Sequence, residues 1–136
     1  MSQKSTNAAI YAKRIALPNL SSGERLIKCF IGKEHVQEVK KVIFGPIPEL
    51  IGFWYCLALT QTGVVLMKLD ALMKCADTLR IPFEDIQMVQ IKNGLTRDRF
   101  IMNFANHNPL DLDVVIAYRD QTRAVLYVLN SRQSNQ

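Results

Sequence analysis

The side chains that could do acid–base, nucleophilic or metal chemistry are few and scattered. Neither His35 nor His107 has a histidine partner at the i, i+4 spacing that zinc sites use on a helix. The three cysteines lie far apart and form no Cys-x-x-Cys pair: Cys29, Cys56 and Cys75. They are typical of small buried thiols in a reducing compartment, and the histidines are typical of ordinary surface residues. We therefore predict no catalytic residue, no metal ligand and no cofactor.

Two aspartates lie two residues apart in a segment where apolar and polar side chains alternate. On a strand, Asp111 and Asp113 point to the same side, where paired carboxylates can bind a cation or share a proton. If residue 102 pairs with residue 112, Arg99 lies on the same outer face, near Asp113. The pattern then predicts a solvated ion pair rather than a site. The sequence contains no Gly-rich phosphate loop, G-x-S-x-G or dinucleotide fingerprint, so we expect neither an enzyme nor a small-molecule substrate.

Positive charge is concentrated in the N-terminal third of the chain. The net charge is +5, from 17 basic and 12 acidic residues, and residues 1–47 hold eight of the basic but only three of the acidic ones. Such an excess is typical of a surface for nucleic acid, anionic lipid or an acidic protein, or simply of a solvated face. The basic residues that we assign to a surface are Lys4, Lys13, Arg14, Lys40, Lys41, Lys92 and Arg97.

One basic group surrounds a predicted turn at Asn93-Gly94. Lys92, Arg97 and Arg99 lie near Phe100, and basic residues beside an aromatic ring can hold a nucleic-acid backbone and stack a base. Phe100, however, alternates with the apolar residues at 102 and 104, which indicates the core. We therefore do not expect a nucleic-acid partner.

Length and composition predict one globular domain. The chain has 136 residues, of which 49% are hydrophobic and 21% charged, which excludes a wholly disordered chain, a collagen-like chain and a disulfide miniprotein. No apolar run reaches the roughly 18 residues that span a bilayer. The N-terminus lacks the apolar core of a secretory signal. We expect a cytoplasmic protein that can sit at the periphery of a membrane-bound complex.

Residues 1–20 are predicted to form a helical extension, separate from a domain over residues 21–136. Four residues make a modest apolar stripe that ends before Pro18: Ala8, Tyr11, Ala12 and Ile15. Because the stripe is mostly alanine, it suits docking in a protein groove better than insertion into lipid. Further along, residues 23–32 could be a short helix or a strand, and residues 29–31 favour a strand. Val36, Val39 and Ile43 recur at helical spacing.

The rest of the chain indicates antiparallel β structure and one helix. Residues 53–60 and 64–69 predict a hairpin about a turn at 61–63, and residues 86–92 and 99–105 predict a second about Asn93-Gly94. Residues 70–79 are interpreted as a connector, with Pro82 at the start of a strand. Residues 110–116 predict a half-buried strand. A helix is expected from Asp120 to Leu129, although its valines leave a strand open.

The first hairpin is apolar on both faces, which is unusual for a small barrel with one interior. We assign Trp54, Cys56, Val64 and Leu66 to a common outer face. That face must be covered by the chain's own helices or by an interface with another protein or a second copy, with membrane insertion as a third alternative. Trp54 is expected to matter most, since tryptophan is enriched among interface hot spots.

Two segments resemble the bacterial pleckstrin-homology-like (PH-like) domains. They are L-A-L-T-Q-T-G-V-V-L-M at 57–67 and I-P-F-E-D-I-Q-M-V-Q-I-K-N-G-L-T-R-D-R-F-I-M-N-F at 81–104. The resemblance covers roughly residues 50–130. It implies an α+β fold, namely an antiparallel β-barrel or half-barrel with a C-terminal helix, and a binding or scaffolding module rather than an enzyme. Phosphoinositide recognition is not expected, because the turn at 61–63 carries no basic cluster.

These observations predict a non-catalytic protein-interaction module, acting as an adaptor or complex subunit in a bacterial cytoplasm. Its partner would be another protein or a second copy, bound through the 53–69 hairpin and the basic N-terminal extension. The alternative is a peripheral membrane-surface binder that uses the basic N-terminal third on an anionic bilayer.

Overall fold

The computed structural model describes residues 3–35, 53–105 and 107–134. The described residues form one antiparallel sheet of seven strands in the order β4-β3-β2-β1-β7-β6-β5, with a helix at each end of the chain. The elements are α1 (Gln3–Ala16), β1 (Leu26–Glu34), β2 (Trp54–Thr60), β3 (Gly63–Leu69), β4 (Cys75–Pro82), β5 (Ile86–Lys92), β6 (Arg97–Phe104), β7 (Leu110–Val115) and α2 (Arg119–Ser134). This open sheet with its two helices fits the predicted α+β, PH-like half-barrel.

The central strand β1 holds the sheet together. Cys29, Phe30 and Ile31 are all buried, although consecutive strand residues point to opposite faces. On one face, which we call the interior, the ring of Phe30 meets that of Phe100 at 5.0 Å in an edge-to-face contact. The opposite face, which we call the outer face, carries Cys29 and Ile31. The core therefore extends to both sides of β1.

The N-terminal helix covers part of the outer face. Helix α1 packs against β1 and β2, with Ala12 and Ala16 fully buried. The Cys56 thiol lies 3.8 Å from the Ala12 carbonyl oxygen, a close approach that the small alanine side chain allows. Pro18 follows in a short 3₁₀ turn and ends the helix, as predicted. The alanine stripe thus docks on a protein surface, and that surface belongs to the same chain.

The C-terminal helix and the three-strand half of the sheet follow the expected alternation. In β6 and β7 every second residue is buried, and α2 packs against β1 and β5 with Val125 and Leu129 in the core. The helix alternative for residues 120–129 is therefore confirmed. At β1, the hydrogen of Gly32 faces β7, where a Cβ would lie 2.9 Å from the Val114 side chain. Glycine allows the close approach of these two strands.

The prediction of a connector at residues 70–79 is wrong. Residues 75–82 form the edge strand β4, in which only Ile81 is fully buried, so its sequence lacks the apolar alternation of a strand packed on a core. Pro82 ends this strand instead of starting one, and on an edge its missing N–H breaks no ladder. The Thr78 N–H is capped by the Asp77 carboxylate at 2.9 Å, which blocks pairing at this edge.

The predicted helical spacing at Val36, Val39 and Ile43 lies outside the described residues. Within the described part of the chain, no helix is long and apolar enough to cross a membrane.

The close packing of α1 on the sheet can be tested by enlarging Ala12, the alanine of the helix that faces the sheet. Ala12→Leu should lower the free energy of unfolding by about 1–3 kcal/mol, because the extra side chain overpacks a fully buried site. Urea unfolding measures the change. The same exchange at the partly exposed Ala9 is the control, and equal losses for the two variants would contradict the packing described here.

Candidate functional site

The four predicted interface residues do not share a face. In the β2–β3 hairpin, Cys56 lies directly opposite Met67, whereas Leu66 lies opposite Leu57 and Val64 opposite Leu59. Since directly opposed residues point to the same side, Trp54 and Cys56 are on the outer face and Val64 and Leu66 are on the interior face. The predicted grouping is wrong by one residue of register, because a hairpin that is apolar on both faces gives no pattern by which to fix it.

Only Trp54 of the four is exposed. Cys56, Val64 and Leu66 are buried, the first of them beneath α1. The chain's own N-terminal helix therefore covers the middle of the hairpin's outer face, which was one of the alternatives. Trp54 lies at the first residue of β2, with 40% of its surface exposed.

Trp54 belongs to an exposed group that we call the aromatic corner: Phe53, Trp54, Lys33 and Lys68. Strand register places Lys33 and Trp54 on the outer face and Lys68 on the interior face, so the corner spans both faces at this end of the sheet. Phe53 is 49% exposed. The Lys68 ammonium lies 3.7 Å from the centre of the Phe53 ring, and the Lys33 ammonium lies 5.9 Å from that of Trp54. Each ring thus has a lysine ammonium within the range of a cation–π interaction, and the Lys68–Phe53 pair is the closer of the two.

The backbone fixes the position of this corner. The Glu34 N–H donates to the Phe53 carbonyl oxygen at 2.8 Å, and the Phe53 N–H donates to the Glu34 carboxylate at 3.3 Å. The two aromatic residues are therefore attached to the end of β1.

A row of paired polar side chains continues from the corner across the outer face. His35 Nδ1 lies 3.0 and 3.1 Å from the two carboxylate oxygens of Asp113. Arg99 binds both oxygens of Asp111, at 3.0 and 2.6 Å, and this carboxylate raises the pKa of Arg99. Strand register places Arg99 opposite Asp113, as predicted, but residue 102 pairs with 110 and the ion pair forms diagonally with Asp111.

His35 is thus partnered, which the sequence did not predict because Asp113 is far away along the chain. A histidine held by a carboxylate can transfer a proton at its other ring nitrogen. Among the described residues, the imidazole bonds to Asp113, and the backbone N–H of His35 donates to the Asp111 carbonyl oxygen at 2.8 Å. The same residues contain no group of three histidine, cysteine or acidic side chains that could hold a metal ion.

The predicted basic residues are found at two separate places. Lys13 and Arg14 are exposed in the last turn of α1, where positive charge complements the helix dipole, and Lys4 lies in the same helix. Lys92 and Arg97 are exposed at the two ends of the β5–β6 hairpin loop. The remaining two, Lys40 and Lys41, lie outside the described residues.

An ion pair between the buried Asp98 and the partly exposed Arg119 braces this second hairpin. Asp98 is 2% exposed and accepts hydrogen bonds from Arg119 at 2.9 and 2.7 Å and from the Gly94 N–H at 3.1 Å. These bonds, chiefly those from the guanidinium, lower the pKa of Asp98. In the sequence, the burial of Asp98 is indicated only by its position, two residues before Phe100 on the buried side of β6.

The hollow beside the aromatic corner is small. It has a volume of about 190 Å³ and is lined by Tyr55, Leu66, Lys68, Asp77, Thr78 and Leu79. Ligand pockets usually measure about 300–1,000 Å³. The exposed aromatic side chains, rather than this concavity, are the feature suited to binding.

Thiol chemistry gives a direct test of the covered outer face. Burial raises the pKa of Cys29 to about 11 and that of Cys56 further still, so neither supplies thiolate near neutral pH. In native buffer we expect a disulfide-exchange reagent to titrate one thiol, that of the half-buried Cys75. Titration in urea should reveal three. Cys75→Ser should abolish the native reaction, and rapid reaction of all three native thiols would contradict the structure.

The Asp98 brace predicts a pH dependence of stability. Because the pKa of Asp98 is lowered on folding, its contribution is complete above the unfolded value of about 3.9 and is lost as pH falls through the folded value. Asp98→Asn should cost about 1–3 kcal/mol at pH 7. The difference from the parent chain should shrink below pH 4, as measured by urea unfolding. Asp111→Asn, in a more exposed pair, should cost no more than about 1 kcal/mol, and a pH-independent Asp98 effect would refute the assignment.

Comparison with known proteins adds no relative. No protein-family model matches the sequence, and a search of curated proteins finds no similar sequence. The likeness to a PH-like half-barrel is therefore one of architecture, carried by the antiparallel strand order and the C-terminal helix.

Proposed function

We propose that this protein is a non-catalytic interaction module, an adaptor or complex subunit that binds a protein partner through its aromatic corner. The observation that carries the proposal is the exposure of Trp54, the chain's single tryptophan, beside an equally exposed Phe53. Tryptophan contributes more binding energy to protein interfaces than most residues when it is desolvated on association. A large ring left 40% exposed on a firm strand is suited to that role.

The surroundings of the corner support a protein partner. Interfaces that form and dissociate have an apolar centre and a polar, solvated rim. Here the centre would be Phe53 and Trp54, and the rim would include Lys33, Lys68 and His35. The rim carries both signs of charge, because Glu34 and the His35-bound Asp113 lie beside the lysines. Such a mixed rim suits a protein better than a uniformly charged ligand.

The helix α1 narrows the predicted interface to this corner. It covers Cys56, so the hairpin contributes its first residues to the interface, not its whole outer face.

We also propose that the protein is a bacterial, cytoplasmic member of the PH-like class. Its support is the strand order β4-β3-β2-β1-β7-β6-β5 followed by a C-terminal helix, together with the resemblance of residues 57–67 and 81–104.

The proposal is tested by removing the tryptophan ring. The tagged chain is purified from its native cells at low and high salt, the stoichiometric partner is identified, and its affinity is measured by calorimetry. Trp54→Ala should weaken binding by about 30-fold, the loss of a hot-spot side chain. Its unfolding should stay cooperative, because the ring is outside the core.

Tyr127→Ala is the matched control, since Tyr127 is an aromatic residue on α2 with 74% of its surface exposed. It should bind like the parent chain. Wild-type affinity for Trp54→Ala, or loss of folding without a separate binding defect, would refute the corner as the interface. Association that high salt abolishes would instead favour the basic surfaces.

A further inference from the structure

The loop between β5 and β6 presents an apolar tip to solvent. Leu95, at its apex, is 95% exposed, and Val115 and Ile116 beside it are each 43% exposed. Val115 lies directly opposite Arg97, and the Ile116 N–H donates to the Thr96 carbonyl oxygen at 3.3 Å. We call Leu95, Val115 and Ile116 the apolar tip.

The loop that carries Leu95 is held through both backbone polar groups of one residue, Gly94. The buried Asp98 carboxylate accepts the Gly94 N–H, and Arg119 donates to the Gly94 carbonyl oxygen at 2.7 Å. Gly94 permits this packing, since a Cβ there would overlap the carbonyl oxygen of Arg97. The Asp98–Arg119 pair therefore holds the backbone of Gly94, next to the solvent-exposed Leu95. Such bracing lowers the entropy that ordering the loop on a target would cost.

Basic side chains surround the tip. Lys92 and Arg97 share the outer face of the hairpin and are exposed, and Arg123 on α2 is close enough for its charge to act on Asp98. Asp98 itself is neutralised by Arg119. Neither Lys92 nor Arg97 forms a salt bridge with a carboxylate of the described residues. The exposed acid near this end is Asp120, so positive charge prevails.

We propose that the apolar tip and its basic surround bind the surface of an anionic lipid bilayer. Leu95 would enter the boundary between headgroups and acyl chains, and Val115 and Ile116 would follow at the same level. Lys92, Arg97 and Arg123 have long apolar stems, so their charges can reach lipid phosphates while their stems stay beside the apolar residues. This surface differs from the basic N-terminal third and from the aromatic corner, although strand register places Lys92 in the same cross-strand row as Trp54.

The shape of the tip favours a bilayer over a protein. A specific protein interface usually buries about 800 Å² on each partner around a closely packed centre. The loop residues 93–97 are all exposed, so the tip is a protrusion with one apical leucine and no concave surface. A fluid bilayer accepts such a protrusion without a complementary pocket, and it supplies the negative charge that the surrounding basic residues require.

The test measures binding of the full chain to lipid vesicles by co-sedimentation. One set contains phosphatidylcholine and phosphatidylserine at roughly 3:1, and the other contains phosphatidylcholine alone. The parent chain should bind the anionic vesicles, and raising the salt from about 0.1 M to about 1 M should weaken binding strongly. Leu95→Ser should reduce the partition coefficient about tenfold, and the Lys92→Gln, Arg97→Gln double variant should reduce it about 25-fold.

The turn between β3 and β4 offers matched controls near the other edge of the sheet. Leu72 is 75% exposed, and Lys74 is exposed nearby, but Asp70 accepts the N–H groups of both residues and lowers the local charge. Leu72→Ser and Lys74→Gln should bind vesicles like the parent chain.

Three results would overturn the proposal. They are no binding of the parent chain to anionic vesicles, equal loss with the Leu72 and Leu95 variants, and binding to a single-stranded oligonucleotide that Leu95→Ser leaves unchanged while vesicle binding is absent. All the substituted side chains are exposed, so unchanged urea unfolding would exclude misfolding as the cause.

Discussion

Burial on both sides of β1 is the constraint on which the rest of this structure depends. A strand with Cys29, Phe30 and Ile31 in succession cannot leave either face in water. The interior face is filled by the ring of Phe100 and the surrounding strands, and α1 covers the outer face with alanines small enough to lie on the Cys56 thiol. The N-terminal segment is thus as much a part of the core as any strand, and its amphipathic pattern has an intramolecular purpose.

Most of the architecture could be predicted from the sequence, and each failure has a physical cause. Alternation along β6 and β7 specified their faces, because one side of each strand is solvated. The same logic failed at Cys56 and Leu66, since a hairpin that is apolar on both sides looks identical after a one-residue slip. Strand β4 was not predicted, because an edge strand buries few side chains and so shows no apolar alternation. The partners of His35 and Asp98 are 78 and 21 residues away, beyond the range of any local pattern.

The candidate site was predicted in part. Trp54 was assigned to the outer face of the hairpin and lies there, but whether the chain's own helix covers it depends on where α1 ends its contact with the sheet, which sequence periodicity does not reveal. The folded chain presents two exposed surfaces, one aromatic and one apolar with basic neighbours. Both belong to the same sheet, and the cross-strand row that begins at Trp54 ends at Lys92.

The pairing of β1 is unequal on its two sides. It forms a ladder with β2 over most of its length, but with β7 the registered pairs are Lys33–Asp113 and Glu34–Leu112. Among the described residues, few backbone hydrogen bonds therefore join the four-strand leaf, β1 to β4, to the three-strand leaf, β5 to β7, and the bond from the His35 N–H to the Asp111 carbonyl oxygen is one of them. Side-chain packing joins the two leaves, with Phe30 against Phe100 and Gly32 against Val114. We therefore expect amide exchange to be faster along this boundary than at the other pairs of interior strands.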